Sequence, residues 1–193
     1  LNVAFTTGTA GTQSTLDLVA NKADEVTALN ITGSADVLLN VAANVLDVAA
    51  VTIDASALSG KFEIADDSGA LKSGSKVIGS AQDDTIDVDD NAGIAYEGRA
   101  GNDAFAVEVA TLNATGTNDT SLDGGAGVDT MTFNDTGDIT ITDGYFTNVS
   151  GMEKLTLSST GDQSLTMGTN FSSAFASVTI TTATAADEKS IVI

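Results

Sequence analysis

Between residues 79 and 129 the chain writes one turn three times, and this repetition restricts the possible folds more than any other feature. The copies are Gly79-Ser80-Ala81-Gln82-Asp83-Asp84-Thr85-Ile86, Gly98-Arg99-Ala100-Gly101-Asn102-Asp103-Ala104-Phe105 and Gly124-Gly125-Ala126-Gly127-Val128-Asp129-Thr130-Met131. Each follows the glycine-rich pattern Gly-Gly-x-Gly-x-Asp-x-apolar-x, in which backbone carbonyls and one carboxylate surround calcium and the apolar residue starts a short strand. The third copy is complete. Arg99 replaces the second Gly of the second copy, and Ser80 and Gln82 replace the second and third Gly of the first.

The spacing has a physical reason. Calcium takes about six to eight oxygens, and a turn rich in Gly can aim several carbonyls at one point because Gly accepts backbone angles that side chains forbid. Candidate ligands are therefore Gly79, Ala81 and Asp84, Gly98, Ala100 and Asp103, and Gly124, Ala126 and Asp129. One turn is only half a site. With two nine-residue repeats per coil, the partner turn lies about 18 residues on. Asp84 to Asp103 is 103 − 84 = 19 residues, which suits one coil, and Asp103 to Asp129 is 129 − 103 = 26, a coil plus a bulge. Residues 113–119, Asn-Ala-Thr-Gly-Thr-Asn-Asp, offer turn chemistry for that bulge. Two calcium positions are expected, one between the first and second turns and one between the second and third. The alternative is that these are ordinary Gly/Asp turns of a β-protein with no metal.

Elsewhere the strand pattern dominates. Short alternating runs rich in Thr, Val, Ile and Leu occur at 26–32, 131–133, 139–142, 154–157 and 178–181, with Gly, Asp, Asn and Ser clusters between them. Their even spacing predicts an all-β, parallel β-helix or β-roll solenoid. The Ala-rich segment 36–47 can satisfy a helical stripe, but its neighbours favour two strands with a turn at Ala42-Ala43-Asn44. A short helical turn is expected near residues 171–175. Residues 29–39 resemble 155–166, and 51–56 resemble 178–183, so the chain reads as a ladder (1–75), a calcium-turn segment (76–133) and a second ladder (134–193) in one continuous solenoid.

Composition narrows the function classes. Without His or Cys there is no Ser-His-Asp triad, thiol nucleophile, histidine-thiolate zinc site or disulfide, so a bound metal would be held by oxygen. A net charge of −20, from 27 acidic and 7 basic residues, argues against nucleic acid or an anionic membrane and makes divalent cations natural counter-ions. No span reaches the roughly 20 apolar residues of a transmembrane helix. The start at Leu1 and the apolar end Ile191-Val192-Ile193 suggest a stretch of a longer chain.

Other acidic residues read as surface or turn chemistry. In the run Asp83, Asp84, Asp87, Asp89 and Asp90, Asp84 is expected to be the inward ligand and the rest solvated. Asp66-Asp67-Ser68-Gly69, Asp135-Thr136-Gly137-Asp138 and Asp143-Gly144 read as turns. Inward asparagines could form ladders. The seven Phe and two Tyr show no clustered face and are assigned to core packing.

Residues 29–86 and the phrase Val149-Ser150-Gly151-Met152-Glu153-Lys154-Leu155-Thr156-Leu157 resemble the repeat bodies of bacterial surface-layer proteins of the RTX type. That resemblance implies type I secretion, folding driven by external calcium, and assembly of an extracellular lattice at the bacterial cell surface. It implies a non-enzymatic chain whose partners are calcium, further copies or neighbouring domains, and cell-surface polysaccharide, with no membrane insertion. Two other functions remain open: a segment of an RTX adhesin, and a solenoid module of a polysaccharide-active enzyme using a carboxylate pair with Tyr96 or Tyr145.

Overall fold

The computed structural model describes residues 1–5, 13–18, 26–43, 45–66, 70–88, 91–112, 119–159, 161–182 and 189–192. The strands run, in chain order, β1 (Asn2–Phe5), β2 (Gln13–Leu18), β3 (Ala28–Gly33), β4 (Asp36–Val41), β5 (Thr52–Leu58) and β6 (Phe62–Asp66). Next come β7 (Lys76–Ile78), β8 (Thr85–Asp87), β9 (Ala95–Glu97), β10 (Ala104–Val107), the helical turn α1 (Val109–Leu112), β11 (Ser121–Asp123) and β12 (Thr130–Phe133). The last are β13 (Ile139–Ile141), β14 (Val149–Ser150), β15 (Met152–Leu157), β16 (Gln163–Thr166), the helix α2 (Thr169–Ala174), β17 (Phe175–Thr182) and β18 (Lys189–Val192).

These strands wind into a parallel β-solenoid. One sheet has the order β1-β3-β5-β7-β9-β11-β14 and the facing one β17-β15-β12-β10-β8-β6-β4-β2, so each strand pairs with the strand one coil away. A third sheet, β13-β16-β18, adds another side to the later coils. Alternation explains the arrangement, because successive side chains in a strand point to opposite faces. In β4 the residues Val37, Leu39 and Val41 are buried while Asp36, Leu38 and Asn40 are half-buried. Burying each such Leu or Ile contributes about 1.5–3 kcal/mol.

The coil lengths read from the turns agree with the register. Thr85 pairs with Ala104, 104 − 85 = 19 residues on, and Ala104 with Thr130, 130 − 104 = 26 residues on. Part of the longer coil is taken up by α1. Residues 113–118, assigned above to a bulge, lie outside the described residues. Hydrogen-bonded ladders cross both segment boundaries, joining β5 to β7, β6 to β8, β11 to β14 and β12 to β15.

Among its described residues, segment 36–47 is not helical. β4 is followed by an isolated bridge from Leu46 to Leu71, so the second strand expected there shrinks to one residue pair. The helical turn near 171–175 is α2. The similarity of 29–39 to 155–166 does not mark equivalent positions, because β3 to β4 passes from the first sheet to the second whereas β15 to β16 passes from the second to the third. A strand-turn-strand pattern encodes alternation, not which side of the coil the strand occupies.

The aromatics pack in the core, as expected, and four of the phenylalanines gather at one place there. Phe146 packs edge-on against Phe133, Phe171 and Phe175 at ring distances of 6.4, 5.1 and 5.8 Å, all within the core of the later coils. Tyr96 is buried, so it offers no exposed ring. An asparagine pair faces outward, with Asn30 Nδ2 donating to Asn2 Oδ1 at 2.6 Å between exposed residues. Asp135 and Asp143 do serve turns, accepting the backbone N–H groups of Val109 and of Asn170 and Phe171 in neighbouring coils.

Candidate metal-binding corner

The three repeated turns stack on one another. Each leaves the first sheet after β7, β9 or β11 and enters the second at β8, β10 or β12, and the three strand pairs are in register. Gly79, Gly98 and Gly124 follow the ends of those strands, and their N–H groups donate to Glu97, Asp123 and Ser150 of the next coil at 2.8, 2.8 and 3.0 Å. A short corner, Gly151-Met152-Glu153, continues the stack without being a copy of the motif.

Asp84, Asp103 and Asp129 form a buried column, exposed by 2, 1 and 0%. Asp103 Oδ1 accepts the N–H of Asp84 at 2.8 Å, Asp129 Oδ1 accepts that of Asp103 at 2.7 Å, and Glu153 Oε2 accepts that of Asp129 at 2.8 Å. Asp84 Oδ1 accepts from Phe62 N at 2.7 Å. Each acid thus reaches back one coil. The position before it reaches forward, with Asn102 N donating to Asp83 Oδ1 at 2.8 Å and Val128 N to Asn102 Oδ1 at 3.0 Å. Asp83 is exposed, as expected, yet it also ties two coils together.

Oxygens left over from this ladder meet carbonyls. Asp103 Oδ2 and Asp129 Oδ2 are buried with no hydrogen-bond partner. A Cβ placed on Gly98 would collide with Asp103 Oδ2 and lie 2.6 Å from Gly124 O. One placed on Gly124 would collide with Gly151 O and lie 2.8 Å from Asp129 Oδ2. Each glycine thus keeps open a point where a carboxylate oxygen and a carbonyl of the next coil come close. An unpaired buried polar oxygen is costly, and a cation is one partner that satisfies it.

Electrostatics points the same way. Burial, with smaller contributions from Asp84, Asp129 and Asp83, pushes the Asp103 carboxyl up to about 7. Burial also raises Asp84 and Asp129, the latter helped by Glu153 and Asp123. Asp83 moves the other way, lowered chiefly by the Asn102 N–H and also by Lys61, whose Nζ is 3.8 Å from Asp83 Oδ2.

Among the described residues no three acidic side chains gather at one point. A cation here would draw one carboxylate per level and take the rest of its shell from carbonyls or water, which calcium accepts. The residue types fit that ion: hard oxygen donors, a backbone opened by Gly, and orphaned buried charge. Of the expected ligands, Asp103 converges in this way with the Gly124 carbonyl, and Asp129 with that of Gly151. Asp84 and Gly98 make the same approach beside Gly79, where a Cβ would lie 2.5 Å from Asp84 Oδ2 and 2.8 Å from Gly98 O. Ala81 is exposed, and Ala100 pairs with Ala126, whose carbonyl already accepts Gly101 N. Sequence reasoning missed Gly151 and Glu153, whose only signal is the coil interval, 153 − 129 = 24 residues. No protein-family model, curated protein or solved structure matches the chain.

Proposed function

We propose that this chain is a non-enzymatic, calcium-stabilised β-solenoid domain of a secreted bacterial surface-layer protein, acting as building material of an extracellular lattice. The observation that carries the calcium reading is the pair of buried oxygens, Asp103 Oδ2 and Asp129 Oδ2, without hydrogen-bond partners and close to glycine carbonyls. Asp103, Asp129, Gly124 and Gly151 would hold the ion, which would supply positive charge against carboxylates that burial makes reluctant to ionise.

The chain's own residues do the rest. The acids at the corner are committed to backbone N–H groups of the preceding coil, which supports a structural use. Stacking then proceeds coil by coil, each coil presenting its N–H groups to the next carboxylate. Lattice building is supported by the resemblance of residues 29–86 and 149–157 to surface-layer repeat bodies and by the strongly acidic composition. In a calcium-poor cytoplasm such a chain would stay loose and fit for export.

Sedimentation velocity of the purified chain in chelator and across a calcium titration tests this. The expected result is a folded but looser and less stable species in chelator that compacts at about millimolar calcium and then associates, the range of extracellular calcium modules. Identical sedimentation in both conditions would reject the calcium reading, and compaction without association would reject the lattice role for this chain.

A further inference from the structure

We propose that Ser80 takes the cation's place at the first turn, so that calcium lies at only two levels: Asp103 with Gly124, and Asp129 with Gly151. The inference rests on the calcium reading above and changes its assignment. From spacing alone the ions fall between the first and second turns and between the second and third. The side chains move the pair one coil onward.

At the first level both oxygens of Asp84 are already taken. Ser80 N donates to Asp84 Oδ2 at 2.6 Å, and Ser80 Oγ donates to Asp84 Oδ1 at 2.7 Å, where Phe62 N also donates at 2.7 Å. Ser80 is fully buried, and its Oγ in turn accepts from Gln82 N at 3.0 Å. A carboxylate receiving three hydrogens in this way presents no bare oxygen to a cation. Its neighbours one and two coils on, Asp103 and Asp129, each keep a buried oxygen with none.

Backbone conformation explains the difference. The second residues of the later turns are left-handed, Arg99 at φ 79° and Gly125 at φ 94°, and the fourth are Gly101 at φ 126° and Gly127 at φ 153°. Among the described residues Arg99 is the one non-glycine with positive φ, so Ser80 and Gln82 do not follow this path. Arg99 therefore departs from the repeat in identity but keeps its conformation. Ser80 and Gln82 depart in both, and the turn they make folds its own N–H and hydroxyl onto the acid.

The far level is closed by residues outside the repeat. Gly151, at φ 64°, sets its carbonyl against Gly124 as Gly124 sets its own against Gly98, and Glu153 accepts the Asp129 N–H as Asp129 accepts that of Asp103. A fourth copy of the turn is not needed.

Calorimetric titration of calcium chloride into the chelator-stripped full chain tests the assignment, with circular dichroism checking that each variant is folded. The expected stoichiometry is two for the unaltered chain, two for Asp84→Asn, one for Asp103→Asn and one for Asp129→Asn. The double variant Ser80→Gly with Gln82→Gly restores the repeat and should gain a third ion, an outcome that loss of folding cannot mimic. If the unaltered chain binds no calcium, the calcium reading fails and the assignment with it. If it binds calcium but Asp84→Asn loses an ion, or the double variant gains none, the reading stands and the role given to Ser80 is wrong.

Discussion

Asp103→Asn should change the sign of its effect on stability when calcium is added. The side chain is 1% exposed; Oδ1 accepts the Asp84 N–H at 2.8 Å, and Oδ2 has no partner. Asparagine can keep the first bond through its carbonyl and turn its amide toward the Gly124 carbonyl that lies beside Oδ2. It also removes a charge that the fold disfavours. A carboxyl lifted from 3.8 to about 7 corresponds to at most about 4 kcal/mol against folding at alkaline pH. In chelator near pH 8 the variant should therefore gain about 1–3 kcal/mol, allowing for relaxation around the site. For a protein of this size that is a rise in Tm of roughly 2–4 °C per kcal/mol. With calcium at about 1,000 times its Kd, one lost site costs about 4.1 kcal/mol, more than that gain, and the unaltered chain should be the more stable. Thermal unfolding followed by circular dichroism, with and without chelator, reads both numbers. Equal destabilisation in the two conditions would refute the reasoning, since Asp103 would then be an ordinary hydrogen-bonding residue.

Further consequences concern pH, packing and the glycine opening. A raised folded-state pKa means the native state holds the proton longer, so in chelator stability should fall as pH rises from the ordinary carboxylate range through about 7, with Asp103 the main contributor. Urea unfolding at a series of pH values checks this, and saturating calcium should flatten the slope. Gly124→Ala would push a methyl against Gly151 O and Asp129 and should cost a few kcal/mol, as overpacking does, while weakening calcium binding in a titration. Phe146→Ala, deep among three other phenylalanines, should cost about 3–5 kcal/mol equally with and without calcium, because its packing is independent of the corner.

Much of the architecture was legible because two periods coincide in the sequence. Alternation within β4 and β5 gave the strands, and the intervals between Asp84, Asp103 and Asp129 gave the coil lengths that the register of β8, β10 and β12 follows. The third sheet was not legible, since β13 and β16 look in sequence like any other short strand and only the path of the coil makes them a separate side. The phenylalanine cluster escaped for a similar reason: Phe133, Phe146, Phe171 and Phe175 are far apart in the chain and meet only through stacking.

At the corner, residue types identified the acids but not their partners. Nothing in the spacing distinguishes Asp84, whose oxygens Ser80 fills, from Asp103, whose Oδ2 is bare, because the difference lies in the φ angles of the residues between glycine and acid. Arg99 shows how a motif mismatch misleads, for it holds the glycine conformation at φ 79°. Glu153 lay beyond reach because it stands in a shortened corner that does not read as the repeat.

The central claim is that calcium occupies this corner, and anomalous diffraction from crystals grown with calcium or terbium tests it most directly. The account predicts one peak bounded by Asp103 Oδ2 and Gly124 O and a second bounded by Asp129 Oδ2 and Gly151 O, with none beside Asp84. Featureless anomalous density at all three levels, with water or nothing against the two bare oxygens, would contradict it.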